Sequence, residues 1–313
     1  MHSVATTMCD GYAARALVAP AGETRAELVP ELGMVCCTLL HRGEELLGRR
    51  SGLAAYARRG STMGVPLLFP WANRLDGTSY RAAGRDVSFP PDLAVLHLEE
   101  HGLPIHGALA RYLPFQVTTH SATADDARVV AHLDSGRSPE LGRIFPFPHR
   151  VEVEARLAGS RLEITTTLSA AADVPVPVAF GYHPYLRIPG APRPGWEIEA
   201  PVDRRLVLDE RGIPTGQRIR EPVASGPLGS RTFDDGYADV AQGTVFSLAG
   251  ADRRITVTFG EGYPFTQLFA PAEADVVCFE PMTAPANALA SGEGLAVLQP
   301  GEEYRARFSI EVQ

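Results

Sequence analysis

Lysine is absent from this sequence: all 29 of its basic residues are arginine. Schiff-base aldolases, pyridoxal-phosphate enzymes and P-loop NTPases all need a lysine, as do kinases that hold phosphates with one, so these classes are excluded. Cysteine is scarce, at four residues (Cys9, Cys36, Cys37, Cys278), and no two are spaced as CxxC. Reduced thiols in a cytoplasmic protein are the simplest expectation, with the adjacent Cys36 and Cys37 on opposite faces of a strand. No apolar run approaches the roughly 20 residues of a membrane-spanning helix. The first twenty residues lack a charged stretch followed by a clean apolar core, so no signal peptide is expected. The charge balance is acidic, −8 at pH 7, which argues against nucleic-acid binding.

Amphipathic helical patterns are also scarce, whereas period-two alternation is plentiful. RVEVEARL (150–157) sets Val151, Val153, Ala155 and Leu157 against charged neighbours, and RLEITTTL (161–168) repeats the pattern. Together they predict a hairpin with one buried and one wet face. RRITVTF (253–259) and EYRARFSIEV (303–312) alternate in the same way. The 26 prolines and 30 glycines punctuate the chain at short intervals, as in sandwiches and barrels. The reading is an all-β chain, a single antiparallel domain over 1–313 with few short helices. Segments 189–196 and 222–240 read as long, irregular loops, where binding chemistry is commonly carried.

Four segments set polar groups beside rigid apolar sequence. GVPLLFPWANRL (64–75) ends an apolar run at Pro70 and follows it with Trp71, Asn73 and Arg74, a composition suited to stacking on a sugar and binding its hydroxyls. HGLPIHGALARYLPF (101–115) holds His101 and His106 five apart with Pro104 between them. That spacing does not fit a helical metal pair, so no metal site is expected. AFGYHPYLRIPG (179–190) places His183 between Tyr182 and Pro184, a setting in which imidazole can do acid–base work. VVCFEPMTAPANAL (276–289) runs from an apolar strand into Glu280, with Pro281 expected to end the ladder there. A carboxylate there is costly unless paired or used for its altered basicity. Each segment alone is equally compatible with a structural turn, a satisfied core histidine or a carboxylate capping backbone amides.

The order FPWANRL, IHG, GYHPYL, FEPMTAPANAL resembles that of the aldose 1-epimerases, or galactose mutarotases, from about Leu28 to the C-terminus. The resemblance implies a large antiparallel β-supersandwich and an enzyme that interconverts the α and β anomers of a free aldose. It implies Glu280 as general base, His183 as general acid, His106 near the sugar ring oxygen, and Arg74 on the sugar hydroxyls. The family's sugar-binding aspartate falls in FDDGYADV, at Asp234 or, alternatively, Asp235. Asn73 and Tyr182, which flank matched residues, join the expected sugar-binding set. The resemblance implies no cofactor and no metal, a small-molecule sugar as the only partner, and neither nucleic acid nor membrane; monomer and homodimer stay open. Two other readings keep the fold: a hexose-6-phosphate 1-epimerase, with Arg111 and Arg187 as phosphate-binding cations, and a non-catalytic carbohydrate-binding protein.

Overall fold

The structure is a computed structural model that describes residues 1–171 and 173–313. Two large antiparallel sheets dominate it. One has nine strands in the order 116–122, 127–134, 149–158, 161–170, 303–312, 253–259, 245–250, 197–199, 226–227. The other has seven, in the order 214–220, 204–208, 233–238, 265–270, 278–282, 181–182, 67–68. A five-stranded sheet built from residues 3–45 lies beside them. The helices are short: Leu53–Arg59, Pro139–Ile144 and Ala288–Ser291. The expected hairpin runs from His149 to Ala170 in unbroken register, Ala155 opposite Ile164, turning at Gly159 and Ser160. Its alternate residues Val151, Val153, Leu162 and Ile164 are fully buried.

The alternating residues explain how the sheets join. The inner faces of the nine- and seven-stranded sheets share one apolar cluster. Phe246 lies against Phe279 with ring centroids 5.2 Å apart, and Tyr182 against Phe308 at 5.0 Å. Burial of such rings is worth roughly 2–3 kcal/mol each, which holds the seven-stranded sheet rigidly against its partner. Its opposite face is free to carry polar residues. One expectation needs correction here. Segment 222–240 is not one long loop, because Phe233–Ala238 is an interior strand paired to both Arg204–Leu208 and Phe265–Ala270. Its adjacent acids, Asp234 and Asp235, make it read as polar loop, yet the pleat sends them to opposite faces, Asp235 beside Phe233 and Tyr237 and Asp234 beside Gly236 and Ala238.

Candidate active site

Three neighbouring strands of the seven-stranded sheet place the polar side chains. Gln267 stands directly opposite Glu280, and Phe269 opposite Asp234. Gln267 donates from Nε2 to Asp234 Oδ1 at 2.6 Å. The pleat separates the two aspartates, since successive side chains leave opposite faces. Asp234 lines a cavity of about 340 Å³, whereas Asp235 is held by Arg205, Nη2 to Oδ1 at 2.6 Å. The same pleat aims Glu280 into the cavity while Phe279 points into the core. Pro281 does not end the ladder, as its position after the carboxylate suggested. It lies inside the strand Cys278–Met282, opposite Thr266. Alternation alone turns Glu280 inward.

The second wall comes from 69–74 and 105–107. Asn73 and His106 both adopt left-handed backbone, at φ 57 and 61. They lock each other: His106 N–H donates to the Asn73 carbonyl at 2.9 Å, and Asn73 N–H donates to His106 Nδ1 at 3.2 Å. Asn73 Oδ1 accepts the Arg74 N–H at 2.8 Å, and the Arg74 carbonyl accepts Asn287 N–H at 2.7 Å. Gly107 permits the close approach, because a Cβ there would lie 2.3 Å from the Phe69 carbonyl oxygen. Such strained backbone persists where surrounding bonds over-determine it. The consequence is chemical. With Nδ1 accepting, His106 presents Nε2–H as its donor. Burial holds the imidazole neutral, pushed down to about 3. Arg74 enters the same cavity with Glu99 Oε2 3.5 Å from its Nε.

His183 faces Glu280, Nε2 to Oε1, at 3.2 Å. Both are buried. Burial pushes the Glu280 carboxyl well above the carboxylate range; Asp234 adds to this and Arg74 opposes it. Burial pushes the His183 imidazole well below its ordinary value, with His106 and Arg50 adding. Both directions favour a pair that holds one proton between its members. Glu280 Oε2 and His183 Nδ1 are buried without a hydrogen-bond partner among the described residues. Tyr185 lies parallel to His183, with centroids 4.2 Å apart and planes 5° apart, and Phe269 meets it edge-on. The Tyr185 hydroxyl is held by Thr62 at 2.6 Å and by Arg50 at 3.1 Å, and it lies 3.1 Å from the same His183 Nε2 that faces Glu280.

The structure thus brings Glu280, His183, His106, Arg74, Asn73 and Asp234 to one cavity. Tyr182 is the correction. It points to the face opposite His183, bonds Thr166 at 2.7 Å and packs in the core. Trp71 also lies in the core, stacked on Phe89, so it is no ligand wall. Sequence reasoning missed Gln267, Glu99, Tyr185, Thr62, Arg50 and Arg59, all of which line the cavity. Gln267 carried the signal that exposed Glu280, a polar residue inside an apolar strand.

The aldose 1-epimerase family model matches residues 37–311. The uncharacterized protein YihR of Escherichia coli K12 is 22% identical over 254 residues, spanning 78% of this chain and 77% of that protein. Among solved structures, a galactose mutarotase-like protein from Clostridium acetobutylicum superposes with TM-score 0.84 at 18% identity, covering 100% of this chain and 98% of that one. Slr1438 from Synechocystis sp. PCC 6803 gives TM-score 0.77 at 24% identity, over 99% and 98% of the two chains. Galactose 1-epimerase from Lactobacillus acidophilus NCFM gives 0.76 at 14%, over 100% and 98%. These likenesses carry the fold, a galactose mutarotase-like β-supersandwich. With the family model matched over most of its length, the chain belongs to the aldose 1-epimerase family.

Proposed function

We propose that the protein is a mutarotase acting on a free aldose, with Glu280 and His183 exchanging one proton pair across the ring-opening bond. The observation that carries this is the buried 3.2 Å contact between a carboxyl pushed up and an imidazole pushed down, so that the pair shares one proton. Mutarotation needs a proton removed from the anomeric hydroxyl and one delivered to the ring oxygen. The C1–O5 bond then breaks to an open-chain aldehyde. Rotation about C1–C2 and reclosure give the other anomer. With the shared proton on His183, Glu280 is the base for O1–H and His183 the acid for O5. A bound sugar favours that arrangement, because its hydroxyl satisfies the carboxylate oxygen that otherwise has no partner. On reclosure the two groups reverse roles, and no net proton leaves the site. Positioned groups of this kind contribute about 10²–10⁴-fold each. His106 donates from Nε2, while Arg74, Asn73, Gln267 and Asp234 hold hydroxyls around the ring.

The pH dependence follows from the one-proton pair. Acid inactivates it by adding a second proton, which must go to an imidazole whose affinity for it is depressed. The acid limb of kcat/KM therefore lies below histidine's ordinary value of about 6.5. Alkali removes the one remaining proton, from a pair whose carboxyl is pushed up. The expected profile shows no acid limb at histidine's ordinary value of about 6.5 and stays level through it. A loss that begins near pH 6.5 and deepens tenfold per unit would contradict the assignment. Polarimetry on a freshly dissolved anomer, corrected for the buffer rate at each pH, measures it.

One observation favours a second substrate, a hexose 6-phosphate. Arg111 and Arg187 do not serve it: Arg111 donates to the Ala94 carbonyl and stacks on Tyr112, and neither lines the cavity. Arg50 and Arg59 do line it, at the exposed rim. A phosphate there gains charge-assisted bonds that a free hydroxyl does not. If this substrate is used, Arg59→Ala raises KM for α-glucose 6-phosphate by about tenfold, at about 1.4 kcal/mol, and leaves KM for α-glucose unchanged. Equal effects on both sugars, or no preference in the wild type, remove this reading.

A further inference from the structure

Cys9 ends the strand Ser3–Cys9, and Cys37 lies in the strand Val35–His41. Two strands separate them in the five-stranded sheet, yet the sheet curls so that their Sγ atoms stand 2.9 Å apart. That is inside the van der Waals contact of two sulfurs and only about 0.9 Å longer than a disulfide bond. Both side chains are buried in a small apolar cluster that includes Leu53 and Tyr56. Arg49 Nη2 lies 3.5 Å from Cys9 Sγ and also pairs with Asp10 at 2.8 Å. We propose that Cys9 and Cys37 are a reversible dithiol–disulfide pair, oxidised by low-molecular-weight disulfides.

The two sulfurs have different roles. The hydrogen bond from Cys37 pulls the Cys9 thiol down, burial opposes this, and Arg49 adds to the lowering. The reciprocal hydrogen bond and burial push the Cys37 thiol up. Cys9 therefore attacks first, and it adjoins the exposed turn at Asp10 and Gly11 through which a reagent can reach it. Cys9 thiolate displaces one thiolate from oxidised glutathione and forms a mixed disulfide. Cys37 sulfur then displaces the second thiolate, which takes the Cys37 proton. The two cysteines lose two electrons and glutathione disulfide gains them. A bound metal fits less well. Two thiolates on one tetrahedral zinc stand about 3.8 Å apart, given bonds of about 2.3 Å. Glu27, the third potential ligand, is engaged by Thr7 and Arg25. The bond would fasten the first strand where Asp10 accepts the Leu53 N–H, at the start of the helix whose far end reaches the cavity.

The test is equilibration of the native protein with oxidised glutathione, then alkylation after unfolding and peptide mapping. The expected result is loss of two of the four thiols, with Cys9 linked to Cys37 and with Cys36 and Cys278 alkylated. Reduction by dithiothreitol restores all four. Oxidation should also raise Tm by about 5 °C. In Cys37→Ser, Cys9 should accumulate as the glutathione adduct and the Tm rise should vanish. Four free thiols after equilibration, a different pairing, or thiols protected by retained zinc would each overturn the proposal.

Discussion

Glu280→Gln is expected to lower the catalysed rate of anomer interconversion by at least about 10²-fold while sugar still binds. Glutamine keeps the shape of the side chain but can neither take the O1 proton nor return one. The fold should survive the change. Glu280 sits in a strand whose ladder to Gln267 is backbone-bonded, and its Oε2 has no partner to lose among the described residues. Removing a buried ionisable group also removes its desolvation cost, so Tm should hold or rise. Polarimetry separates kcat from KM, and calorimetry with an equilibrated sugar checks binding. The signature is a fall in kcat with little change in affinity, since the proton transfer occurs only on the way to the transition state. A rate near that of the wild type would contradict the role given to Glu280.

His183→Asn should cause a loss of similar size, about 10²-fold or more. Asparagine retains hydrogen-bonding capacity but no titratable nitrogen. It also forfeits the parallel contact with Tyr185, so a Tm loss of a few degrees is expected alongside, corresponding to roughly 1 kcal/mol. The more diagnostic outcome is the double variant. If the two groups handle one proton pair as a unit, Glu280→Gln with His183→Asn should be hardly slower than either single change. Multiplying losses would mean two independent contributions, and the 3.2 Å contact would then be structural.

The strands were readable because period-two alternation records which face is wet. That signal located His149–Ala170, Arg253–Phe259 and Glu303–Val312 almost to the residue. It failed at Phe233–Ala238, where Asp234 and Asp235 stand adjacent and mask the alternation; each is satisfied by a different neighbour, Gln267 and Arg205. Residues of the site were visible where a polar group interrupts apolar sequence, as at Glu280. Tyr182 was drawn in by mere proximity to His183, which the pleat contradicts: Tyr185, not Tyr182, shares the cavity. Glu99, Arg50 and Arg59 lie in ordinary charged surface sequence, and only the tertiary fold brings them to the cleft. The mutual lock of Asn73 and His106 was equally invisible, because no local pattern announces a bond between residues 33 apart.

The most direct test of the central claim is the rate at which the purified wild-type protein equilibrates freshly dissolved α-anomers, followed by polarimetry against a buffer blank. A panel of free aldoses is needed, because the cavity's stereochemical preference is set by side chains around the ring. A mutarotase gives a first-order equilibration whose rate rises in proportion to protein concentration for at least one free aldose, and which Glu280→Gln returns to within a few per cent of the blank. Sugar binding by calorimetry with no acceleration for any member of the panel would contradict it and leave a carbohydrate-binding protein in place of an enzyme.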